Sequence, residues 1–343
     1  MNYSAKSMNG HPNVLLIVTL ASQTPQAKPF NKENENATYE HISQLCEQQA
    51  INLFIAHFAN TVNDSAVLSW GFQDGRWNMV ELPASEISVA YADLPQNFPK
   101  ANELRNLLVK HSVFCINHLE MSDTLTDKVL TCNLLPDLIP PTFNTSEQNL
   151  GTQLLEASNH QDLRTDKIIL KPRYGERGKG IEVIDFLEVD SARVRNMEDY
   201  IVQPLLESDS GIPELGIKGR HDLRMLIHNG TIMDFFIRVA PANNFICNQS
   251  HGGTIAYFQL HELPDRFREV AHEVDRSLSQ YMPRYYSVDV GVGRSGKLWV
   301  YELNTMPGVV WNAQGTDKMR YYGMHQSIIA SIKTGLKQTV VLE

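Results

Sequence analysis

Two acidic residues and an asparagine near the C-terminus are spaced to bind a hard metal ion. The run "YYSVDVGVGRSGKLWVYELNTMPG" predicts a β-hairpin. A two-residue turn at Ser295–Gly296 places Asp289 directly opposite Glu302, with Asn304 on the same face. Opposed like charges destabilise a sheet, and Mg²⁺ bound through oxygen ligands would compensate. The alternative is that one carboxylate is solvent-exposed or paired with an arginine.

A glycine-rich stretch, "IILKPRYGERGKGIEVID", has the chemistry of a phosphate-binding loop. Gly175, Gly178 and Gly180 follow a G-x-x-G-x-G spacing. It is not a P-loop, because Ile181-Glu182 follow where a hydroxyl should be, and it reverses the dinucleotide-binding fingerprint. The β-branched flanks predict an antiparallel hairpin whose backbone N–H groups bind an anion. A solvent-exposed glycine hairpin is the alternative.

Basic residues accompany this loop. Lys171 stands at its entrance, where its ammonium can bind phosphate oxygens, or where it can extend from a strand edge into water. In "HDLRMLIHNGTIMDFFIRVA", Asn229–Gly230 predicts a tight hairpin turn. An ideal turn there puts Arg224 and Arg238 on opposite faces. If both contact one ligand, a bulge or distortion must intervene.

Bulk composition narrows the function classes. The 343 residues suggest two or three domains, and 42% apolar with 20% charged residues is ordinary for a globular protein. A net charge of −9 argues against a nucleic-acid binder. No apolar run approaches the length of a membrane helix, so no membrane partner is expected. Four cysteines without metal spacing predict no disulfide framework and a cytoplasmic location.

The predicted elements form three regions. Residues 1–117 are predicted as an α/β domain, residues 118–202 as a central subdomain with the glycine loop, and residues 203–343 as a C-terminal subdomain. The main predicted elements are a strand at Val14–Leu20, a polar loop over "SQTPQAKPFNKENENATYE", a helix at Tyr39–Gln49, a strand at Ile51–Phe58, a hairpin turning at Asp74–Gly75, a helix from Ser122 or Asp123, a strand stopping at Pro204, an amphipathic helix in "LPDRFREVAHEVDRSLSQY" and a helix at Met324–Leu336.

The order of the motifs between about residues 119 and 312 resembles the ATP-grasp superfamily. These motifs are "Lys-Pro…Gly-x-x-Gly-x-Gly", "Val-Gln-x-x-Leu", "Asp-Leu-Arg…Asn-Gly", "Arg-Val-Ala-Pro…Asn…Gly-Gly-Thr" and "Val-Asp…Glu-Leu-Asn…Pro-Gly". They are most similar to the glutathione synthetase and ribosomal-protein glutamate ligase branch. The stretch "SWGFQDGRWNMVELP" more faintly resembles ATP-grasp proteins of spore coats. The resemblance implies an α/β (α+β) ATP-grasp fold, with an α/β N-terminal domain and ATP bound between two antiparallel-sheet subdomains.

The resemblance also implies roles for single residues. The implied catalytic residues are Arg238, Arg224 and Lys171. The implied ATP-binding residues are Lys128, Lys171, Gly175, Gly178, Lys179, Gly180, Gln203, Leu205, Leu206 and Asp222. The implied substrate contacts are Arg238, Asn248, Gly252 and Gly253. The implied ligands of Mg²⁺, as two ions or with Mn²⁺ in their place, are Asp289, Glu302 and Asn304.

The implied activity is ligation of a carboxylate to an amine through an acylphosphate, with small-molecule or peptide substrates. A kinase acting on a hydroxyl and a non-catalytic ATP-binding or scaffold protein are the alternatives. The resemblance further suggests a homodimer. His221 and His251 lie near the implied site and are expected to be structural or substrate contacts rather than general bases.

Overall fold

The computed structural model describes residues 10–18, 27–63, 65–94, 99–158, 160–175, 178–242, 244–247, 252–315 and 317–341. The chain divides into two compact units. Unit 1 is Met1–Asp123, Tyr281–Tyr285 and Met306–Glu343, and unit 2 is Thr124–Gln280 and Tyr286–Thr305. Both combine helices and sheets, which confirms the predicted α/β (α+β) class. Among the described residues, no helix is both long and apolar enough to cross a membrane.

Unit 1 is built on a six-stranded sheet. Its strands are β1 (Asn13–Val18), β2 (Asn52–Asn63), β3 (Ala66–Gln73), β4 (Arg76–Pro83), β5 (Ile87–Tyr91) and β6 (Phe114–Ile116). Its helices are α1 (Glu33–Glu47), α2 (Pro99–Lys110), the start of α3 (Leu119–Thr126) and α8 (Lys318–Val341). The order is β4-β3-β2-β1-β5-β6, with β2, β1, β5 and β6 parallel. The hairpin of β3 and β4 turns at Asp74–Gly75 as predicted, with both residues at positive φ.

The first helix begins at Glu33, within the stretch predicted as a loop, and not at Tyr39. The stretch has few apolar side chains, so its hydropathy predicts no buried face. The structure buries polar ones instead: Asn36 is 1% exposed and its amide donates to the Phe30 oxygen at 2.9 Å. Buried polar groups that bond locally satisfy the backbone at the start of a helix, and a hydropathy pattern does not detect them.

The last helix, α8, is longer than the predicted Met324–Leu336. Ile328 and Ile332 pack in one core with Val89 of β5 and Ile116 of β6. The contacts therefore group residues 306–343 with unit 1, whereas the sequence places them in a domain spanning 203–343. The three-domain division itself stays a prediction.

The first sheet of unit 2 is antiparallel. Its elements are α4 (Lys128–Leu134), β7 (Phe143–Asn144), α5 (Leu150–Ala157), β8 (Leu163–Pro172), β9 (Glu182–Asp185), α6 (Ala192–Arg195) and β10 (Tyr200–Leu206). The strand order is β7-β10-β8-β9. The flanks of the glycine loop pair as β8 and β9, so the predicted hairpin is confirmed. Leu150, Leu154 and Val194 of the helices pack on Ile168 and Val202 of the sheet.

Two boundaries here were predicted wrongly. The helix expected from Ser122 or Asp123 is two helices, α3 and α4, because Asp127 is extended (φ −89°, ψ 109°) and caps α4, accepting from the Val129 N–H at 2.9 Å. The strand expected to stop at Pro204 continues to Leu206.

The second sheet of unit 2 is also antiparallel. Its elements are β11 (His221–His228), β12 (Thr231–Val239), β13 (Thr254–Tyr257), α7 (Asp265–Ser277), β14 (Tyr285–Val292) and β15 (Leu298–Thr305). The strand order is β13-β12-β11-β14-β15. The predicted amphipathic helix is α7, which buries Phe267, Val270, Ala271 and Val274.

A β-bulge in β12 places two arginines on one face. Beyond the Asn229–Gly230 turn, the ladder shifts by one residue at Met233. Asp222 then lies directly opposite Arg238. Because residues two apart share a face, Arg224 lies on that face too. The bulge that the two arginines required is therefore present.

A second bulge sets the register of the acidic pair. The turn between β14 and β15 is a three-residue loop, 294–296, ending in Gly296 at φ 90°, and not the predicted two-residue turn. The ladder shifts again at Tyr301, and Asp289 lies opposite Glu302 as predicted. The longer loop shifts the pairing of the strands by one residue and the bulge, which was not predicted, shifts it back, so the predicted pairing of Asp289 with Glu302 is unchanged.

Candidate active site

A pocket in unit 2 is lined by both of its sheets. The predicted site residues that line it are Lys128, Lys171, Gly175, Gly178, Lys179, Gln203, Leu205, Leu206, Asp222, Arg238, Asp289 and Glu302. The other lining residues are Pro140, Ile169, Pro172, Ile181, Pro204, Arg220, Phe245, Ile246, Cys247 and Tyr301. Apolar walls and a converging group of charges are the features that a nucleotide's base and phosphates require.

Lys128 is held between the glycine loop and the acidic pair. It begins α4, directly after the capping Asp127. Its Nζ donates to the Gly175 oxygen at 2.8 Å and lies 3.6 Å from the Glu302 carboxylate. Asp127 in turn accepts from Arg173 at 2.6, 2.9 and 3.0 Å, a bidentate contact. This ion pair fixes the start of α4 against the root of the glycine loop.

Lys171 lies at the end of β8, opposite Ile201 of β10. Burial lowers the pKa of its ammonium to about 8, and the charge of Lys128 adds to this, while Glu302 acts in the opposite sense. The two lysines share the single carboxylate of Glu302, and Lys128 still lowers the pKa of Lys171, so the pair is arranged for a further anionic ligand.

The glycines of the loop meet a steric requirement. Gly178 and Gly180 both have φ of 72°, a conformation that other residues rarely adopt. A Cβ on Gly180 would lie 2.7 Å from the Tyr200 hydroxyl, and one on Gly175 would lie 2.9 Å from Pro172 Cβ. Lys179 lies between two of these glycines and lines the pocket. The loop can thus bring backbone N–H groups close to a ligand.

The predicted hinge strand borders the pocket with an interrupted ladder. Gln203 and Pro204 pair with β8, but the register shifts between Pro204 and Leu206, so Leu205 has no partner in β8. The Gln203 side chain donates to Thr142 Oγ1 at 2.7 Å, and this hydrogen bond fixes the orientation of the side chain. A ladder interrupted at a pocket can leave backbone polar groups for the edge of a base.

Four charged residues form a network at the pocket, which Asp222, Arg238 and Asp289 line, while Arg224 is not among the lining residues. Arg224 donates to both oxygens of Asp289, at 2.6 and 2.5 Å. Arg238 donates to both oxygens of Asp222, at 2.8 and 2.7 Å, and also to Asp289 at 2.7 Å. Asp289 therefore has two arginine partners and Asp222 has one. The sequence analysis gave pairing with an arginine as the alternative to metal binding for one carboxylate, and Asp289 is the carboxylate that is paired in this way.

This asymmetry separates the two carboxylates electrostatically. Burial and the neighbouring Asp289 raise the pKa of Asp222 to about 6, against the pull of Arg238. Burial also acts to raise the pKa of Asp289, but Arg224 and Arg238 outweigh it and the pKa is lowered. Asp289 thus stays ionised near neutral pH. An ionised, oriented carboxylate is what a cation site needs.

The side chains fit a magnesium ion bound together with phosphate. Asp289 and Glu302 are opposed in the ladder and both line the pocket, and Asn304 follows two residues on from Glu302 on the same face. Carboxylate and amide oxygens are the donors that Mg²⁺ prefers. The described residues contain no cluster of three or more His, Cys, Asp or Glu side chains placed for a metal. Phosphate oxygens and water would complete the coordination.

The remaining predicted residues are placed less fully. Gly252 and Gly253 directly precede the edge strand β13, which pairs with β12 beside Arg238. Asn248 and His251 lie outside the described residues. His221 is buried, donates to the Gly219 oxygen at 3.0 Å and accepts from the Val292 N–H at 3.3 Å. Burial lowers its pKa, so it is a neutral structural histidine.

Sequence reasoning missed several pocket residues. Arg220 precedes β11, pairs with Asp209 at 3.0 Å and lies 4.5 Å from the Phe245 ring. Tyr301, the bulge residue, rests on Gly291 and lines the pocket. The sequence did contain a signal for Arg220. It lies two residues before Asp222 and four before Arg224, so in an extended chain it falls on the same face as both. For the loop at Phe245 there was none.

The chain belongs to the YheC/D-like ATP-grasp family, whose model matches residues 133–333, more than half of the chain. D-alanine–D-alanine ligase from Bacillus anthracis, solved with ATP, is similar at a TM-score of 0.60, with 14% identity, covering 97% of this chain and 100% of that one. A RiPP-associated ATP-grasp ligase from Chryseobacterium gregarium, solved with ADP and a leader and core peptide, has a TM-score of 0.57 and 14% identity, covering 92% and 95%.

A curated relative matches a shorter stretch of the chain. An uncharacterised protein of Mycoplasma genitalium is 22% identical over 149 residues, 43% of this chain and 46% of the relative. The match thus spans about half the relative's length. The ATP-grasp superfamily predicted from the motifs is confirmed, as is its fold. The glutathione synthetase and glutamate ligase branch stays a prediction.

Proposed function

We propose that this protein is an ATP-dependent ligase that joins a carboxylate to an amine through an acylphosphate and releases ADP and phosphate. The observation that supports it best is the pocket itself. Lys128 and Lys171 line the same cavity as the opposed carboxylates Asp289 and Glu302, and the hinge residues Leu205 and Leu206 line it too. The family and the ligase folds that resemble this one support the same reading.

In the proposed reaction, an oxygen of the acid attacks the γ-phosphorus of ATP and the bond to the β–γ bridging oxygen breaks, releasing ADP. The amine then attacks the acyl carbon, loses a proton, and phosphate leaves with the former acid oxygen. Lys128, Lys171 and Arg238 neutralise charge on the phosphoryl group, and no protein nucleophile is needed. Arg224 acts through Asp289, whose carboxylate it orients.

The remaining parts of the site have supporting roles. Mg²⁺, as one or two ions, or Mn²⁺ in its place, would be held by Asp289, Glu302 and Asn304 and would supply charge neutralisation at the β- and γ-phosphates. The hinge Gln203–Leu206 would bind adenine. The glycine loop would exclude water from the hydrolysable acylphosphate. Gly252 and Gly253 would border the acceptor.

Substrates are proposed as small molecules or peptides, in keeping with the peptide in the Chryseobacterium gregarium complex. The homodimer and the cytoplasmic location remain predictions from the sequence.

The test is hydroxylamine trapping. The protein is incubated with Mg-ATP, hydroxylamine and separate pools of amino acids, short peptides and peptidoglycan fragments, and ADP and hydroxamate are measured. We expect hydroxamate with one pool, its loss in Asp289→Asn, and its retention in Asp265→Asn, a matched change at a side chain that is 96% exposed. ADP without hydroxamate, rising with polyols, would indicate the kinase. Nucleotide binding without either product would indicate a binding protein.

A further inference from the structure

Two buried polar atoms next to the proposed metal site have no hydrogen-bond partner among the described residues. They are the hydroxyl oxygen of Ser287 and the amide nitrogen of Asn304. Ser287 is fully buried, at 0% exposed. Buried polar atoms are almost always bonded in folded proteins, because leaving them unpaired costs free energy. Two in the same place point to a bond made in another state of the site.

The two side chains are direct neighbours across the sheet. Ser287 of β14 pairs with Asn304 of β15, and the next pair on that face is Asp289 with Glu302. Directly opposed Cβ atoms lie about 4.5 to 5.5 Å apart, within reach of a bond between short polar side chains. An amide nitrogen only donates, and a hydroxyl oxygen can accept. The bond that can form is therefore from Asn304 Nδ2 to Ser287 Oγ.

The orientation of the asparagine amide agrees with this pairing. Its nitrogen is the buried atom, while Oδ1 is not among the buried unpaired atoms. The oxygen is thus the end that can meet an ion. A metal held by Oδ1 requires the amide plane to stay fixed, and a partner on the nitrogen is what fixes it.

We propose that Ser287 is a positioning residue of the magnesium site, and this rests on the proposed function. When an ion binds Asn304 Oδ1, the Asn304 Nδ2–H donates to Ser287 Oγ and locks the amide. Ser287 is itself too buried to touch the ion, so it acts through Asn304. Asp289 is already oriented by Arg224 and Arg238, and Glu302 lies 3.6 Å from Lys128. Asn304 is thus the proposed ligand whose amide nitrogen has no partner among the described residues.

The test compares metal binding and stability in two variants. Mn²⁺ is titrated into the full-length protein saturated with ADP, and bound Mn²⁺ is followed by electron paramagnetic resonance. We expect Ser287→Ala to weaken Mn²⁺ binding about 10- to 100-fold, as for other outer-shell partners, and Ser287→Thr, which keeps the hydroxyl, to restore most of it. Without metal, Ser287→Ala should melt no lower than the wild type, because it removes an unpaired buried hydroxyl.

The outcomes separate the two proposals. A metal-free Ser287→Ala that melts several degrees lower with unchanged Mn²⁺ affinity would show a purely structural hydroxyl and overturn this inference alone. Equal loss in Ser287→Thr and Ser287→Ala would also overturn it. A wild-type protein that binds ADP but no Mn²⁺, alone or with ADP, would overturn the proposed metal site as well.

Discussion

Protonation of Lys171 provides a direct test of where the triphosphate binds. In the free protein its pKa is about 8, because burial and the charge of Lys128 disfavour the ammonium. A triphosphate beside it would favour the ammonium and return the pKa toward the ordinary value of about 10.4. Binding of ATP should therefore take up a proton at alkaline pH.

The magnitude follows from the pKa of about 8. The deprotonated fraction of free Lys171 is about 0.1 at pH 7, about 0.5 at pH 8 and about 0.9 at pH 9, and proton uptake per ATP should follow these fractions. The affinity for ATP should fall about tenfold between pH 7 and pH 9. The free protein should show the opposite trend. Its unfolded chain holds the proton up to about pH 10.4, so Lys171 contributes stability that rises with pH from about 8 to 10.4.

Isothermal titration calorimetry of Mg-ATP at pH 8, in two buffers of different ionisation enthalpy, measures the uptake. The control is Lys171→Arg, which keeps the charge but does not titrate in this range, and so leaves only the protons of ATP and other groups. We expect about 0.5 proton more uptake by the wild type than by the variant. Equal uptake in the two proteins would refute the placement of Lys171 beside the phosphates.

Three further changes test other contacts. Arg173→Lys keeps the charge but loses the bidentate contact with Asp127. ATP binding, followed by equilibrium titration, should weaken about tenfold. An unchanged Kd would contradict the role of this ion pair in holding the start of α4 against the glycine loop. Gly180→Ala should lower the rate of ADP formation at least about tenfold, because its Cβ would clash at 2.7 Å. Its control is Gly296→Ala, because Gly296 also has a positive φ but its Cβ would meet no neighbouring atom. This control should lose only about 1 kcal/mol of stability in urea denaturation. Similar rates of ADP formation in the two variants would argue against a role of the glycine loop in covering the ligand. Arg238→Met should lower kcat about 100-fold and the free energy of unfolding by about 3 to 5 kcal/mol, since it leaves the buried Asp222 carboxylate without its arginine partner and Asp289 with Arg224 alone. A variant of normal stability would contradict the charge network.

The sequence predicted the parts of the site that depend on local pattern. The glycine spacing, the β-branched flanks and the Asn229–Gly230 turn are short-range signals, and the strands they predict are present. The need for a bulge followed from requiring Arg224 and Arg238 on one face. Its position at Met233 did not, because neither propensity nor hydropathy distinguishes one residue of an apolar strand from the next.

Contacts between distant segments were not predictable in the same way. Asp127 and Arg173 are 46 residues apart, and neither of the sequence motifs in which they lie indicates that the two residues form an ion pair. The break between α3 and α4 depends on that contact, since Asp127 both caps α4 and accepts from Arg173. The earlier start of α1, at Glu33, depends on buried hydrogen bonds of the Asn36 amide. Each of these is decided by the satisfaction of a polar group in the folded chain.

Because each of the two strands carries a bulge, the side of the sheet on which a site residue lies depends on whether the strand's residue count changes by an odd or an even number. Deleting Met233 or Tyr301, or inserting one residue beside either, would exchange the inward and outward faces of every residue farther from the turn on that strand. Arg238 or Glu302 would then leave the pocket without any change in its own identity. Inserting two residues would restore the facing and cost only local distortion. Alignments and grafts across these strands therefore have to preserve whether each motif spacing is odd or even. A series of variants with insertions of increasing length at either bulge should alternate between inactive and active members.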